Sequence, residues 1–222
     1  MNESTRELLL TALVAISAMA AIAQAATNLV ANGAFEAADP ANPAKPLAWE
    51  LPDGLGVRWE DAPGGGGRAI RMDTSVPETA MVESWRAAGL SSTWDIPEPA
   101  QNAIAETYGL SYYSDAFPVV SGKTYRVTCR LRGGAGTKVW VRGYGMFRGK
   151  MRRRYEAVLH GETRADAWTT NSLVFHPTRQ RPEVTEARVM LYAYYPPGVQ
   201  WFDDIAVEEA DDGDAGDSPV AQ

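Results

Sequence analysis

The segment TYRVTCRLR, residues 124–132, alternates apolar and polar side chains along its whole length. Side chains two residues apart on a β-strand lie on the same face, so this alternation predicts a strand with one buried and one wetted face. The segments KVWVRGY, residues 138–144, and RVMLYAY, residues 188–194, repeat the alternation. In all three segments one parity is apolar, and the opposite parity combines arginine with tryptophan, tyrosine or other polar residues.

The rest of the chain has the same character. About ten strand-like segments, bounded by glycine, proline, asparagine or aspartate, follow one another between residues 28 and 207. Helical periodicity is not sustained anywhere in this region, and we expect one short helix near residues 99–105, inside the long irregular stretch 74–106. Many short strands with short connections favour two packed sheets, so we predict an all-β, two-sheet antiparallel β-sandwich.

The two ends of the chain differ from this region. Residues 8–23 are apolar and uncharged, and the small residues Ala23 and Ala25 follow, which is the layout of a secretory signal peptide over residues 1–25. An uncleaved membrane anchor remains the alternative. Residues 208–222 are acidic and rich in Gly, Ala and Ser, which predicts a disordered tail after a domain at 26–207. We therefore expect a protein that is secreted, periplasmic or on the cell surface.

The charge and cysteine content exclude several kinds of partner and stabilisation. The net charge of −7 arises at the two ends, because residues 27–207 carry equal numbers of acidic and basic side chains. A neutral exported domain is a poor candidate for nucleic-acid binding. Cys129 is the single cysteine, so the chain forms no internal disulfide, and its place on the apolar parity predicts a buried thiol.

Catalytic patterns are missing from the sequence. His160 and His176 lack the spacing of a metal-binding pair, and no Gly-x-Ser-x-Gly sequence occurs. A glycosidase needs two carboxyl groups held roughly 5–10 Å apart in one cleft. Asp203 and Asp204 are adjacent in a predicted strand and therefore point to opposite faces. We expect a binding protein and not an enzyme.

Three segments carry a resemblance to a known family. They are NLVANGAFE at residues 28–36, FPVVSGKTYRVTCRLRG at residues 117–133 and WFDDIAV at residues 201–207. In this order they resemble the opening strand, a central strand pair and the closing strand of galactose-binding-like carbohydrate-binding modules of families four/nine, sixteen and twenty-two. The resemblance implies a jelly roll in which residues 28–36 and 199–207 lie side by side.

The resemblance also implies a structural calcium ion between the first and last strands. Ca²⁺ binds six to eight oxygen atoms from carboxylates and backbone carbonyls. Glu36 and Asp203 match the positions of the carboxylate ligands, with Asp204 as a substitute and carbonyls near Ala34 completing the shell. The alternative is that these acidic side chains are solvated strand ends.

The side chains that alternate with the apolar ones, on the solvent-facing side of the three strands, suggest where a ligand binds. Flat aromatic rings suit the C–H face of a sugar, and guanidinium groups suit its hydroxyls. If the strands share a sheet, the predicted ligand-binding residues are Trp140, Tyr144, Tyr192, Tyr194, Arg126, Arg130, Arg142 and Arg188. The alternative is an ordinary outer surface on which arginine stems cover the rings.

These features predict an exported, non-catalytic module that binds a polysaccharide or glycan, with no nucleic-acid partner and no membrane contact after signal cleavage. A structural or protein-interaction sandwich without a glycan site is the alternative function. A basic cluster is predicted on a hairpin that turns at residues 148–150, and either an anionic glycan or solvent would contact it. The cluster consists of Arg148, Lys150, Arg152, Arg153 and Arg154.

Overall fold

The computed structural model describes residues 27–89, 96, 98–134 and 136–211. The predicted signal peptide and the predicted tail beyond residue 211 lie outside these residues. Among the described residues, one α-helix, α1 (Glu78–Ala87), and a 3₁₀-helix, Ile104–Glu106, precede most of the strands. The strands are β1 (Ala38–Asp39), β2 (Asn42–Pro46), β3 (Val57–Asp61), β4 (Arg68–Asp73), β5 (Leu110–Tyr113), β6 (Phe117–Pro118), β7 (Thr124–Gly133), β8 (Thr137–Phe147), β9 (Lys150–His160), β10 (Thr169–Phe175), β11 (Val184–Ala193) and β12 (Val199–Ala210).

Two five-stranded antiparallel sheets form the sandwich. The first sheet has the strand order β10-β7-β12-β4-β3. In the second sheet the order is β5-β11-β8-β9, and β6 pairs with the N-terminal part of β11. Strands β1 and β2 form a separate two-stranded ribbon. The predicted all-β antiparallel sandwich of the jelly-roll kind is confirmed.

The inner faces of the two sheets form one hydrophobic core. The apolar parity of each patterned strand is fully buried, as Val127 on β7, Val141 on β8 and Leu191 on β11 illustrate. A side chain of this size contributes about 1.5–3 kcal/mol when it is completely buried. Cys129 is also buried, as predicted, and burial raises the pKa of its thiol to about 12. The predicted parity of all three strands is therefore correct.

The N-terminal segment lies along β12, as predicted, but it is not a strand. The backbone N–H of Leu29 donates to the carbonyl of Val207 at 2.8 Å, and the N–H of Ile205 donates to the carbonyl of Gly33 at 2.9 Å. Between these bonds the chain forms turns, with a φ of 51° at Asn32. The asparagine tolerates this left-handed conformation and breaks the extended run that the apolar pattern suggested.

The long segment 74–106 contains the 3₁₀-helix Ile104–Glu106, which overlaps the short helix expected near residues 99–105, and an α-helix that the sequence pattern did not predict. Helix α1 begins after Pro77 and has Glu78 in its first turn, and it buries Met81 and Val82. The carboxylate of Glu78 accepts a hydrogen bond from the backbone N–H of Ala100 at 2.9 Å, so the helix is attached to the returning chain. No helix in the described part of the chain is long and apolar enough to cross a lipid bilayer.

The last strand continues past the predicted domain end at residue 207. Glu208 lies opposite Arg126 on β7, and the carboxylate of Glu209 accepts a hydrogen bond from the ammonium of Lys123 at 2.8 Å. These two acidic residues were expected in the tail because of their charge. Opposite charges on β7 and its preceding turn lie beside them in the ladder.

Candidate ligand-binding face

The structure places the predicted ligand-binding residues on two opposite surfaces. Strand β7, with Arg126 and Arg130, belongs to the first sheet, whereas β8 and β11 belong to the second. The condition that all three strands share a sheet, on which the single face of predicted residues depended, is therefore not met. The chain crosses from one sheet to the other between residues 133 and 137, so β7 and β8 bury their apolar parity in the same core from opposite sides. Their outer faces are separated by the thickness of the sandwich.

Two of the three arginines of β7, Arg126 and Arg130, lie beside acidic residues of β12. A guanidinium nitrogen of Arg130 lies 2.9 Å from a carboxylate oxygen of Asp204 and 3.9 Å from one of Asp203. The same guanidinium lies 5.0 Å from the ring centroid of Trp168. Arg126 lies opposite Glu208 in the ladder. Arg126 and Arg130 therefore lie on the first sheet, outside the candidate site on the second sheet.

The remaining predicted residues meet on the outer surface of the second sheet. Residues directly opposite each other in antiparallel strands share a face, and the register places Met190 between Tyr113 on β5 and Trp140 on β8. Two residues after Met190 on β11, Tyr192 lies opposite Lys138. Two residues before Met190, Arg188 lies opposite Arg142. We call this surface the aromatic face. It consists of Tyr113, Lys138, Trp140, Arg142, Tyr144, Arg188, Met190, Tyr192 and Tyr194.

The centre of the aromatic face is apolar and tightly covered. Met190 is only 4% exposed although it points away from the core, because Tyr113 and Trp140 flank it in the register. Both rings are half-buried. Tyr113 is not among the ligand-binding residues predicted from the sequence. Its strand is only four residues long, which is too short for alternation to separate its two faces clearly.

Arg142 is fixed between the two central rings. Its guanidinium lies 5.6 Å from the Trp140 ring centroid and 5.7 Å from that of Tyr113, and it donates a hydrogen bond to the Tyr113 hydroxyl. Its Nε lies 3.1 Å from a carboxylate oxygen of Glu156, which also pairs with Arg153. Burial raises the pKa of Tyr113, and the nearby Arg142 opposes that rise. The phenol is therefore neutral at physiological pH and available as a hydrogen-bonding group.

A second aromatic group borders the centre. Tyr192 and Tyr194 stack with ring centroids 5.5 Å apart and an interplanar angle of 18°. The hydroxyl of Tyr192 donates to the backbone carbonyl of Tyr108 at 2.8 Å. The ammonium of Lys138 lies 4.7 Å from the Tyr194 ring centroid and 6.0 Å from that of Trp140, so one cation connects the two aromatic groups.

The other end of the face carries alternating charges. Tyr144 lies between Glu186 on β11 and Arg153 on β9 in the register. Arg188 lies opposite Arg142, and two like charges in this position repel each other unless acids compensate them. Glu156 compensates Arg142. Burial raises the pKa of the Glu50 carboxyl, and the charge of Arg188 opposes that rise.

The two predicted calcium ligands lie close enough to influence each other. Asp203 is 6% exposed, and its carboxylate accepts a hydrogen bond from the N–H of Asp204 at 2.8 Å. Burial raises the pKa of Asp203 to about 6, with the negative charges of Asp204 and Glu36 adding to the rise and Arg130 opposing it. Glu36 accepts a hydrogen bond from the N–H of Arg68 at 3.0 Å.

This arrangement fits a hard divalent cation in its chemistry but not in its number of carboxylates. Within the described residues, no three acidic, histidine or cysteine side chains are grouped so that they could hold a metal ion. Asp204, the predicted substitute ligand, is already paired with Arg130. A calcium ion at Glu36 and Asp203 would therefore take most of its oxygens from the backbone.

The fold and its outer surfaces define a jelly-roll β-sandwich with an aromatic face on its second sheet. No protein-family model matches the sequence, and no curated protein matches it. Similar solved structures include a family 16 carbohydrate-binding module (14% identity, 81% of this chain and 99% of that chain, TM-score 0.47). The CBM22-1 xylan-binding domain of Paenibacillus barcinonensis Xyn10C is another (8% identity, 83% and 96%, TM-score 0.45). A family 4 module is a third (16% identity, 82% and 99%, TM-score 0.43).

Proposed function

We propose that this chain is a non-catalytic carbohydrate-binding module that holds a polysaccharide or glycan against the aromatic face. The observation that carries the proposal is the set of half-buried rings around Trp140, with Lys138 and Arg142 between them. The flat apolar rings suit the C–H surfaces of pyranoses, while the cationic groups and phenols suit their hydroxyls. A ligand with carboxylates would gain from the same cations.

The rings and the central arginine are ordered before a ligand binds. Arg142 is held by Tyr113 and Glu156, and Tyr192 is held by the carbonyl of Tyr108. Groups that are already ordered lose little conformational entropy on binding, which favours affinity. A surface built only for solubility needs arginine stems over the rings but not this degree of fixation.

Our proposal includes export and a structural calcium ion. The apolar segment before residue 26 supports export, and the two acidic side chains Glu36 and Asp203, on the N-terminal segment and on β12, support calcium. When bound, the ion would neutralise these two carboxylates and fasten the N-terminal segment to β12. The glycan site lies on the second sheet, away from this junction on the first sheet, so calcium would act on stability and not on the ligand directly.

Substitution of Trp140 by alanine tests the function. We expect Trp140→Ala to abolish binding to a glycan array or to immobilised polysaccharides, with a smaller stability loss than the roughly 3–5 kcal/mol of a core aromatic residue. Trp201→Ala is the matched control, because Trp201 is also half-buried in a strand but lies on the outer face of the first sheet. The control should bind like the unmodified protein.

Two results would contradict the proposal. If Trp201→Ala abolishes binding and Trp140→Ala does not, the ligand binds to the first sheet. If the unmodified protein binds no glycan but captures a protein partner through Trp140, the chain is a protein-interaction sandwich.

A further inference from the structure

The hairpin between β8 and β9 extends beyond the second sheet. The ladder between β8 and β11 ends where Gly145 lies opposite Val184, so the residues from Met146 to Met151 have no neighbour on β11. Arg148 and Gly149 form the turn, with φ angles of 51° and 74°. Positive φ at both positions is the geometry of a tight two-residue hairpin. The basic hairpin predicted from the sequence is confirmed, and its tip projects past the sandwich.

Apolar side chains surround this tip. Met146 and Met151 lie directly opposite each other and are 56% and 47% exposed. Phe147 is 39% exposed and, by strand alternation, lies on the other side of the hairpin. Exposed apolar side chains that cluster in this way mark interaction surfaces. Because they lie on both sides of the hairpin, the partner must surround the tip and not only touch one face.

The tip is also strongly positive. Residues 143–155 contain five basic residues and no acidic residue. Arg153 pairs with Glu156, and Arg154 pairs with Glu183 at 2.8 Å. Among the described residues, no acidic side chain forms an ion pair with the other three, which are Arg148, Lys150 and Arg152. The apolar tip is therefore surrounded by three uncompensated cations.

We propose that the β8–β9 hairpin tip binds the surface of an anionic lipid bilayer. Met146, Phe147 and Met151 would enter the interface between headgroups and acyl chains, and the three cations would contact the headgroups. A soluble polyanion would use the cations but would gain nothing from apolar side chains on both sides of the tip. This proposal revises the sequence-based expectation of no membrane contact, and it does not depend on the proposed glycan site.

A fluorescent label on the tip measures this insertion directly. The full chain carries Met151→Cys with an environment-sensitive fluorophore, and the native Cys129 does not react because it is buried. We expect a blue shift with vesicles of phosphatidylcholine and phosphatidylglycerol at low salt, and none with phosphatidylcholine alone. The matched control is Ser172→Cys, an exposed position on the other sheet, where no shift is expected. Both proteins keep residues 1–25, so lipid affinity of that segment affects them equally.

Two sets of substitutions separate the charges from the apolar side chains. Each basic residue near an anionic surface contributes about fivefold in affinity, so removing all three uncompensated cations should weaken vesicle binding about a hundredfold. That variant is Arg148→Gln with Lys150→Gln and Arg152→Gln. Its matched control removes three exposed arginines elsewhere, Arg58→Gln with Arg164→Gln and Arg179→Gln, and should bind vesicles almost normally.

Replacing the apolar tip decides between a lipid surface and a soluble polyanion. We expect a serine variant of the tip to bind anionic vesicles at least tenfold more weakly, while its affinity for soluble polygalacturonate equals that of the unmodified protein. The variant combines Met146→Ser, Phe147→Ser and Met151→Ser. The proposal is overturned if the label at position 151 does not shift with anionic vesicles, or if the serine variant binds these vesicles as tightly as the unmodified protein.

Discussion

Replacing Arg142 by methionine tests whether the aromatic face is held in shape by this guanidinium. The charged guanidinium of Arg142 donates a hydrogen bond to the Tyr113 hydroxyl, and a hydrogen bond of this kind contributes roughly 1.5–3 kcal/mol. Here the side chain of Arg142 is 17% exposed and that of Glu156 is 36% exposed, so solvent screens part of their attraction. Glu156 also keeps Arg153 as a partner after the substitution. We therefore expect Arg142→Met to lower the free energy of unfolding by about 1–2 kcal/mol, or roughly 2–8 °C in Tm.

Glycan binding should fall by about tenfold in the same variant, because the ligand loses a charged donor and the Trp140 and Tyr113 rings lose the group between them. Isothermal titration with a polysaccharide that the unmodified protein binds measures this loss, and thermal melts measure stability. The matched control is Arg126→Met, on the outer face of the first sheet. If Arg126→Met weakens binding and Arg142→Met leaves it unchanged, the assignment of the site to the second sheet is refuted.

The remaining predictions concern stability. If Glu36 and Asp203 bind Ca²⁺ with a Kd of ~10 μM, then ~1 mM calcium should raise the free energy of unfolding by about 3 kcal/mol. Coincident thermal melts in calcium and in EGTA, or an undiminished shift in Glu36→Gln, would show that these carboxylates bind no calcium. Among the described residues, neither amide atom of Gln200 has a hydrogen-bond partner although the side chain is fully buried. An unsatisfied buried group costs about 1–3 kcal/mol, so Gln200→Leu should raise the urea midpoint, and a lower midpoint would contradict this account.

Alternation in the sequence predicted which side chains face the core, because burial of one strand face is a local property. Val139 and Val141 are fully buried and Trp140 between them is half-buried, as the pattern requires. Which sheet a strand joins is not local. Strands β7 and β8 are consecutive and equally patterned, yet they lie in different sheets because the chain crosses the core between them. The predicted ligand-binding residues therefore lie on the outer faces of two different sheets.

Local signals in the sequence explain two further differences between the predicted and the observed secondary structure, at residues 28–36 and at helix α1. Asn32 and Gly33 form a turn dipeptide inside the apolar run 28–36, and the structure has turns there. Pro77 followed by Glu78 is a helix-start signal, because proline fits before or at the first turn and an acid favours the positive end of the helix dipole. Helix α1 starts at this point.

The turn that follows the segment 74–106 forms one edge of the aromatic face. The chain leaves this segment through the 3₁₀-helix Ile104–Glu106 and turns at Gly109, whose φ of 65° suits glycine. A Cβ at Gly109 would lie 3.0 Å from the Tyr192 hydroxyl, so the turn packs directly against that ring. The turn also supplies the Tyr108 carbonyl that accepts the Tyr192 hydrogen bond. Strand β5 begins next and brings Tyr113 beside Met190. The turn that follows the longest irregular stretch therefore shapes one side of the candidate site, and we expect changes in its residues to alter which ligands the face accepts.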